Sequence, residues 1–420
     1  MESAKHNIDK ILLLIALALM TLGIVMVYSA SHVAAAEQAR DSTYYLQQQF
    51  LRALIGFGVL VVAAKYDYHK YRGKTMLLVL SAFVLLVIVL GLSKVKGASR
   101  WLLVGGFGIQ PSELAKLAMI FYLAAYLDGK GQRIRDFQNG VLPPLIMASV
   151  FALMIVLQPN FSTATVLMLM VVIILFVGGM QMKHLGALAL STIPLLILVV
   201  MTSPYRRARL MTFFDPVADT QGSGYQIRQS LISFANGGLT GMGVGQGKQK
   251  FLFLPEPFTD FIYSIIGEEL GFIGAVLVLG LFITFLFRAI KIARTSPDMY
   301  GFYLAIGITV SIVLYAIINA GVTVGLLPTT GLPMPFISYG GSSLIFTCFG
   351  VGVLLNISSQ TVSKNEAMKP TSGQRVNMGF TDNFSVDESS TPEPQSDGQA
   401  QAQPPKKTVK TPSMVGMDFS

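Results

Sequence analysis

Charged residues and cysteine are both scarce in this chain, and each scarcity excludes a class of protein. Only 13% of the 420 residues are charged, about half of the roughly 25% found in a soluble domain. Together with 52% hydrophobic residues and a mean hydropathy of +0.59, this composition predicts an integral membrane protein. The single cysteine, Cys348, lies in an apolar run, which excludes a disulfide framework and a cysteine-based metal site.

Histidine is also rare, and the excess of basic residues does not indicate a nucleic-acid partner. The four histidines are scattered along the chain, which argues against a histidine metal cluster. The net charge of +9 comes largely from Lys and Arg in short connections between apolar segments. That distribution is typical of membrane topology, so we expect no nucleic acid to bind.

Long apolar segments dominate what is present, and each membrane span needs about 20 such residues. About ten segments qualify, near residues 10–30, 50–65, 74–93, 112–128, 140–158, 162–181, 183–202, 262–290, 301–325 and 339–358. The first lacks a convincing cleavage site and therefore does not indicate a signal peptide. Lys and Arg follow the second, fourth and eighth segments, so the positive-inside rule predicts that both termini are cytoplasmic.

Two polar stretches interrupt this pattern and divide the chain. Residues 203–262 form a predicted extracytoplasmic loop between spans seven and eight, and a loop of that length is uncommon unless it is functional. Residues 360–420 are rich in Ser, Thr, Pro and Gln, which predicts a disordered cytoplasmic tail. The fold class is therefore an all-α polytopic membrane domain over residues 1–359, followed by this tail.

Two outward connections carry cations against the positive-inside rule, so these cations need another explanation. One explanation is contact with outer-leaflet lipid headgroups. The other is a docking surface for a phosphate-bearing substrate, because Arg and Lys neutralise and orient phosphate oxygens. The candidate residues are Lys96, Arg100, Arg206, Arg207, Arg209, Lys248 and Lys250.

Asp260 is the strongest candidate for a catalytic group. It lies in LPEPFTDFIYSIIGEELG, where the polar loop re-enters an apolar helix. It could simply cap that helix, since a carboxylate is favoured at a helix N-terminus. Its position beside a basic, Gly-rich loop also suits a general base that accepts a proton from a sugar hydroxyl.

Four further charged residues fall within predicted spans, where ionised side chains are costly and usually paired. Glu268 and Glu269 lie two turns beyond Asp260, and a buried ion pair or hydrogen bond is the favoured interpretation. Glu113 and Lys116 are spaced i, i+3 on one helix face, which favours a structural intramembrane pair.

Two Gly- and Pro-containing segments break the apolar pattern. The run GMGVGQGK resembles a nucleotide loop but has no βαβ unit around it, so a Rossmann interpretation is rejected. The run from Gly325 to Ser343, which includes Ser338 as a substrate-binding candidate, predicts a re-entrant element beside the site. Trp101, the single tryptophan, is either an interfacial anchor or an apolar wall near a lipid or sugar.

At these residues the chain resembles the SEDS family (shape, elongation, division and sporulation), and within it the cell-division branch. The resemblance extends from the first span to about Ser359. It rests on KGASRW, QPSELAK, SPYRRARL, GYQIRQSL, GMGVGQGKQK, LPEPFTDFIYSIIGEELG and PTTGLPMPFISYGGSS, which occur in this order.

The resemblance implies a ten-span peptidoglycan glycosyltransferase of the bacterial cytoplasmic membrane. Such an enzyme polymerises lipid II on the extracytoplasmic face, at the septum in the division branch, with a class B penicillin-binding protein and other divisome proteins. It implies that Asp260 is the essential carboxylate, and it matches the family's K-G-x-x-R-W and S-E-x-x-K runs to Lys96, Arg100, Trp101, Glu113 and Lys116. Stabilisation of the leaving pyrophosphate is expected from the basic loops or from a divalent cation, Mg or Mn.

The chain departs from the family pattern at three places. The family's His before Thr-Asp is Phe258 here, and its Q-P-D has Asn160 in place of the Asp. Its P-T-K-G has Thr330 in place of the Lys, which blurs the line between the division branch and the elongation paralogue. A catalytic role for a carboxylate at 160 or an imidazole at 258 is therefore excluded.

Two other functions stay open at this stage. A lipid II flippase would fit ten spans with intramembrane charges, but it needs polar residues along a path through both leaflets. A scaffold that only activates the penicillin-binding protein would predict that loop-charge variants keep binding this partner without losing polymerisation of their own.

Overall fold

The computed structural model describes residues 8–37, 41–92, 100–104, 107–215, 222–251 and 253–360. Lys96 and the predicted tail beyond Gln360 lie outside these described residues. Thirteen α-helices are found within the described ranges: α1 (Lys10–Glu37), α2 (Tyr44–Lys65), α3 (His69–Arg72), α4 (Thr75–Leu90), α5 (Pro111–Lys130), α6 (Leu142–Leu157), α7 (Phe161–Val177), α8 (Met182–Met201), α9 (Pro204–Phe214), α10 (Ser223–Gly237), α11 (Ile262–Arg294), α12 (Met299–Thr323) and α13 (Gly341–Ser359).

The long helices coincide with the predicted apolar segments. Within the described ranges, six helices are long and apolar enough to cross a membrane, and two further apolar helices are shorter. The six are Lys10–Ala36, Tyr44–Lys65, Phe137–Leu157, Ile262–Arg294, Met299–Thr323 and Gly341–Ser359, and the shorter two are Thr75–Leu90 and Phe161–Val177. Each of the ten predicted spans overlaps one helix, while ten as the number of membrane crossings stays a prediction.

The connections contain more regular structure than the sequence predicted. The segment 203–262 is not one extended loop, because α9 and α10 lie within it. α10 packs between α11 and α12, where the Ser230 hydroxyl donates to the Thr323 carbonyl at 2.5 Å and lies 2.6 Å from the Ser264 hydroxyl. A 3-10 turn (Gly131–Arg135) and a π turn (Phe137–Val141) join α5 to α6.

The fold is helical as expected, and one connection adds two short strands. An antiparallel hairpin of β1 (Leu102–Val104) and β2 (Phe107–Ile109) precedes α5, with Leu102 opposite Ile109. Directly after β2, the chain is hydrogen-bonded to α13, since the Gln110 N–H donates to the Ser342 hydroxyl at 3.0 Å. Two strands of three residues each give little signal in a sequence dominated by helical apolar runs.

A break in α11 at Gly271 allows this helix to form hydrogen bonds with the Gly-rich loop. Gly271 has φ 68° and ψ −169°, so α11 consists of a short half-helix and a long one that meet at this residue. Only glycine adopts such a conformation readily. The polar groups released there pair with the Gly-rich loop: Phe272 N–H donates to the Gly238 carbonyl at 2.9 Å, and Met242 N–H donates to the Glu268 carbonyl at 3.0 Å.

Glycines let the two backbones approach at this junction. A Cβ on Gly241 would lie 2.2 Å from the Glu269 carbonyl oxygen, and one on Gly271 would lie 2.3 Å from the Gly241 nitrogen. The Gly-rich run therefore serves contact with the chain's own broken helix. This explains the run without a nucleotide, in agreement with the rejected Rossmann interpretation.

Glu268 and Glu269 fasten the loop to the half-helix. The Glu268 carboxylate accepts the Lys248 N–H at 3.0 Å and the Gln249 N–H at 3.2 Å. The Glu269 carboxylate accepts the Ser29 hydroxyl of α1 at 2.6 Å and the Gly245 N–H at 3.0 Å. Both side chains are buried, as the interpretation of a buried pair or hydrogen bond predicted.

Lys250 belongs to this buried cluster rather than to an exposed docking surface. Its ammonium forms an ion pair with Glu269 Oε1 at 2.9 Å and donates to the Gly245 carbonyl at 2.6 Å, and both side chains of the ion pair are 0% exposed. Contact with a substrate phosphate would require this pair to open. The structure therefore does not support the prediction that Lys250 binds substrate, because its charge is already used inside the fold.

The opposite end of the bundle is closed by α2 and α13. A Cβ on Gly352 would lie 2.5 Å from the Leu60 carbonyl oxygen, so these two helices approach through small residues. Asn356 joins them with two bonds: its amide donates to the Ala64 carbonyl at 2.9 Å, and its oxygen accepts the Tyr68 N–H at 2.9 Å. Hydrogen bonds therefore join segments at both ends of the bundle, and apolar side chains form the core between them.

The break in α11 predicts a strong difference between two glycines of the same helix. We expect Gly271→Ala to lower the thermal unfolding midpoint in detergent, because the φ angle alone costs about 1–3 kcal/mol and the added Cβ would meet backbone. Gly280→Ala is the matched control, since nothing lies within 4 Å of its Cβ position and alanine favours a helix by about 1 kcal/mol. Equal midpoints for the two variants would contradict this account of the junction.

The buried ion pair predicts rescue in a double variant. Lys250→Met leaves Glu269 buried without its cation, which typically costs about 3–5 kcal/mol. We expect the unfolding midpoint to fall sharply in that variant and to recover largely in Lys250→Met/Glu269→Gln. Lys248→Met, which alters an exposed lysine of the same loop, should leave the midpoint near wild type. If Lys250→Met proves as stable as Lys248→Met, the pair does not hold the loop.

Candidate active site

A cavity lies where the broken helix, α12 and the segment 328–332 meet. Its volume is about 160 Å³. The polar residues and the glycine used below line it: Arg209, Gln226, Glu256, Asp260, Asn319 and Gly331. The element predicted from Gly325 to Ser343 therefore lies beside the candidate carboxylate, as the sequence indicated.

Asp260 lies two residues before the start of α11 at Ile262, and it lines this cavity. The N-cap residue of α11 is Phe261, whose side chain makes no capping hydrogen bond. Asp260 precedes this N-cap residue by one position, so it is not itself the N-cap residue of α11. The carboxylate is half-buried, and a Cβ on Gly331 would lie 3.2 Å from its Oδ2. A residue larger than glycine at 331, where φ is +71°, would press on the carboxylate.

Arg209 is the predicted cation that the structure brings into the cavity with Asp260. It lies on α9, and its Nη1 donates to the Thr329 carbonyl at 3.1 Å. Arg206 and Arg207, on the same helix, have other surroundings. The Arg206 guanidinium stands 5.5 Å from the centre of the Phe161 ring, and Arg207 is exposed. Thus α9 presents one arginine to the cavity and two outside it.

The hairpin residues lie apart from the residues lining the cavity. Arg100 is held by backbone, since its Nε donates to the Gln158 carbonyl at 3.1 Å and its Nη2 donates to the Pro159 carbonyl. Trp101 is half-buried against the start of α13, where a Cβ on Gly341 would lie 3.7 Å from its ring. Both residues shape the rim of the bundle.

Ser338 and Phe258 are structural residues of the same region. The Ser338 hydroxyl accepts the Met334 N–H at 2.7 Å, and the side chain is buried, so its predicted substrate contact is not supported. Phe258 is buried next to Tyr45 and Tyr339, with ring centres 4.7 and 5.7 Å away. The position that is His in the family pattern is therefore filled by an aromatic cluster.

Glu113 and Lys116 form an ion pair on α5, as their i, i+3 spacing predicted. Lys116 Nζ lies 2.9 Å from Glu113 Oε2 and 3.7 Å from the centre of the Tyr315 ring. The cavity beside them is about 20 Å³, which is room for about one water molecule. The geometry is that of a structural ion pair on α5 that packs against Tyr315 of α12.

Asn319, Gln226 and Glu256 line the cavity but were missed in the sequence. The available signal for Asn319 was a lone amide in the otherwise apolar run of α12, since polar residues in such helices commonly bond across to neighbours. Gln226 lies in the GYQIRQSL motif, and Glu256 lies four residues before Asp260. Neither position differs in the sequence from an ordinary polar loop residue.

A resident metal ion is not indicated by the ligands available here. Among the described residues, no group of three or more His, Cys, Asp or Glu side chains is arranged to hold a metal ion. Asp260 and Glu256 are the carboxylates lining the cavity. Mg²⁺ is commonly bound by one or two carboxylates together with substrate phosphates, so these residues fit a divalent cation that arrives with a phosphate-bearing substrate.

Comparison of the sequence with known proteins identifies its relatives. Residues 9–363 match the FtsW/RodA/SpoVE family, described as cell cycle proteins. A probable peptidoglycan glycosyltransferase FtsW of Geobacter sulfurreducens is 42% identical over 355 residues, covering 84% of this chain and 95% of that protein. Stage V sporulation protein E of Bacillus subtilis is 45% identical over 362 residues, covering 85% and 99%.

Solved structures share the fold. A chain of a peptidoglycan synthase complex that coordinates polymerization and crosslinking has TM-score 0.72 and 27% identity, covering 85% of this chain and 99% of its own. The rod shape determining protein RodA of Thermus thermophilus has TM-score 0.62 and 27% identity, covering 85% and 98%. The chain is therefore a member of the FtsW/RodA/SpoVE family, which is the SEDS family.

Proposed function

We propose that this chain is a peptidoglycan glycosyltransferase that polymerises lipid II during septal cell-wall synthesis. The observation that carries the proposal is the cavity that holds Asp260 and Arg209 together at the start of the broken helix. A carboxylate and a guanidinium in one cleft supply a proton acceptor and an anion partner. Relatives named as peptidoglycan glycosyltransferases support this choice.

In the proposed reaction, Asp260 is the general base. It accepts the proton of the acceptor GlcNAc 4-hydroxyl while that oxygen attacks the anomeric carbon of the donor MurNAc. The new glycosidic bond forms with inversion as the bond to undecaprenyl pyrophosphate breaks, and the pyrophosphate takes the electron pair. General-base assistance contributes roughly 10²–10⁴-fold.

Positive charge near the cavity stabilises the departing pyrophosphate. Arg209 lines the cavity itself, whereas Arg206, Arg207 and Lys248 lie on the surrounding segments. Arg100 and Trp101 directly precede the hairpin and would guide the lipid-linked substrate, and Lys96, four residues earlier in the sequence, is proposed to do the same. Preorganised charge placed where negative charge develops is commonly the largest single contribution to catalysis.

The size of the cavity limits what it can enclose. Its volume of about 160 Å³ is below the roughly 300–1,000 Å³ of pockets that bury a whole small ligand. It would enclose the reacting edge of one sugar, while the remaining sugars, the peptide and the polyprenyl chain lie outside it. A membrane-anchored substrate suits this arrangement, because its lipid already confines it to the bundle surface.

The proposed setting is the bacterial cytoplasmic membrane, with ten spans, both termini cytoplasmic and the cavity facing outward. A class B penicillin-binding protein is the proposed partner, together with other divisome proteins. The structural likeness to a chain of a peptidoglycan synthase complex that coordinates polymerization and crosslinking supports such a partner. Thr330 in place of the family's Lys keeps an elongation role as the alternative within the family.

A lipid II flippase is the competing function, and the placement of the buried charges disfavours it. Glu268 and Glu269 are occupied by loop N–H groups and Lys250, and Glu113 is paired with Lys116. These charges fasten segments together rather than lie along an open route between the two ends.

Replacing Asp260 tests the proposed function. We expect Asp260→Asn in the purified full-length protein with its partner to lower lipid II polymerisation by about 10²-fold or more, because an amide cannot accept the proton. Asp41→Asn, at an exposed position before α2, is the matched control and should polymerise normally.

Two outcomes would overturn the proposal. Near-normal glycan synthesis by Asp260→Asn would remove this carboxylate from the mechanism. A wild-type protein that makes no glycan with its partner but moves lipid II between the leaflets of liposomes would establish the flippase instead.

A further inference from the structure

Asn319 makes two hydrogen bonds that join segments on different sides of the cavity. It lies near the end of α12 and is 1% exposed. Its Nδ2 donates to the backbone carbonyl of Asp260 at 2.8 Å and to that of Leu332 at 2.8 Å. One buried amide therefore uses both of its protons to hold the entry of the broken helix and the segment that follows Gly331.

These two carbonyls belong to residues whose placement decides the geometry of the carboxylate. Asp260 carries the carboxylate, and Leu332 follows Gly331, whose Cβ position would be 3.2 Å from Asp260 Oδ2. Fixing both backbones from one side chain fixes the spacing between the carboxylate and the wall it faces. Asp260 itself precedes the first residue of α11, so this bond lies outside the regular hydrogen bonds within the helix.

We propose that Asn319 is a positioning residue for Asp260. This inference rests on the proposed function, in which Asp260 is the general base. Asn319 acts through the backbone of Asp260, so its contribution appears in turnover rather than in substrate binding. A misplacement of about 1 Å at a reacting group can cost about 10²-fold in rate.

A purely structural role for the amide makes a different prediction, and Asn356 separates the two. Asn356 is also buried, at 5% exposure, and also donates from its amide to a backbone carbonyl, that of Ala64. It lies at the opposite end of the bundle from the cavity. If buried asparagines matter only for stability, Asn319→Asp and Asn356→Asp should affect activity equally.

The experiment measures kcat, KM and the pH dependence of lipid II polymerisation for the full-length protein with its partner. The variants are Asn319→Asp, which replaces the donor with a nearly isosteric acid, and Asn319→Ser, a small polar residue without the paired donors. We expect kcat to fall about 10- to 100-fold in both, with KM within about threefold of wild type. Asn356→Asp should keep the wild-type kcat per folded protein.

The pH profile supplies a readout that lost stability would not produce. The acid limb of kcat reports protonation of the base in the substrate complex. A carboxylate introduced at 319 disfavours ionisation of Asp260 nearby, so Asn319→Asp should move this limb to higher pH. Asn319→Ser adds no charge and should lower kcat without moving the limb, and it covers the case in which the acid variant does not fold.

Two results would overturn the inference while leaving the proposed function intact. One is a wild-type kcat in Asn319→Ser alongside an inactive Asp260→Asn. The other is an equal loss of kcat per folded protein in Asn356→Asp. Full activity of Asp260→Asn, in contrast, would overturn the proposed base itself, and the positioning role would fall with it.

Discussion

The interruption of α11 at Gly271 is the constraint on which this end of the molecule depends. An unbroken helix would pair its own N–H and carbonyl groups and would leave the Gly-rich loop without backbone partners. With the break, the loop and the half-helix exchange hydrogen bonds at positions 238, 242, 268 and 272. Buried backbone polar groups must be paired, so the break and the loop require each other.

The three carboxylates in and next to the resulting half-helix, those of Asp260, Glu268 and Glu269, have two different environments. Glu268 and Glu269 lie inside the junction and accept hydrogen bonds from N–H, hydroxyl and ammonium groups, which compensates the cost of burying their charge. Asp260 lies before the first turn, half-buried at a cavity. A carboxylate that acts on a substrate must stay reachable, and the geometry leaves that property to Asp260.

The sequence predicts the parts of this structure that depend on local composition. Each predicted apolar segment overlaps a helix, because hydropathy over about 20 residues is a local property. The hairpin before α5 and helices α9 and α10 were not predicted, since short elements acquire much of their structure from what they pack against. Asp260 was identified because an acid at the boundary of an apolar helix is conspicuous in any sequence.

The roles of individual cations could not be predicted, because they depend on contacts with residues that are distant in the sequence. Lys250 and Arg209 both lie in the same polar region, and nothing local distinguishes them. Their roles differ because Lys250 meets Glu269, 19 residues away, whereas Arg209 meets Thr329, 120 residues away. Asn319 was missed for the same reason, because its two acceptors come from separate segments of the chain.

The departures from the family pattern fall at the cavity and define its electrostatics. Thr330 lines the cavity where the family pattern has Lys, so Arg209 is the cation among the lining residues. Phe258 packs on Tyr45 and Tyr339 where the pattern has His, so no imidazole at 258 can relay a proton from Asp260. In the proposed mechanism, the proton that Asp260 accepts would therefore leave through water or through Glu256, the other carboxylate that lines the cavity. Next to these side chains, Asn319 holds the backbone carbonyl of Asp260, and the Cβ position of Gly331 lies 3.2 Å from the carboxylate, so both residues help to define its placement.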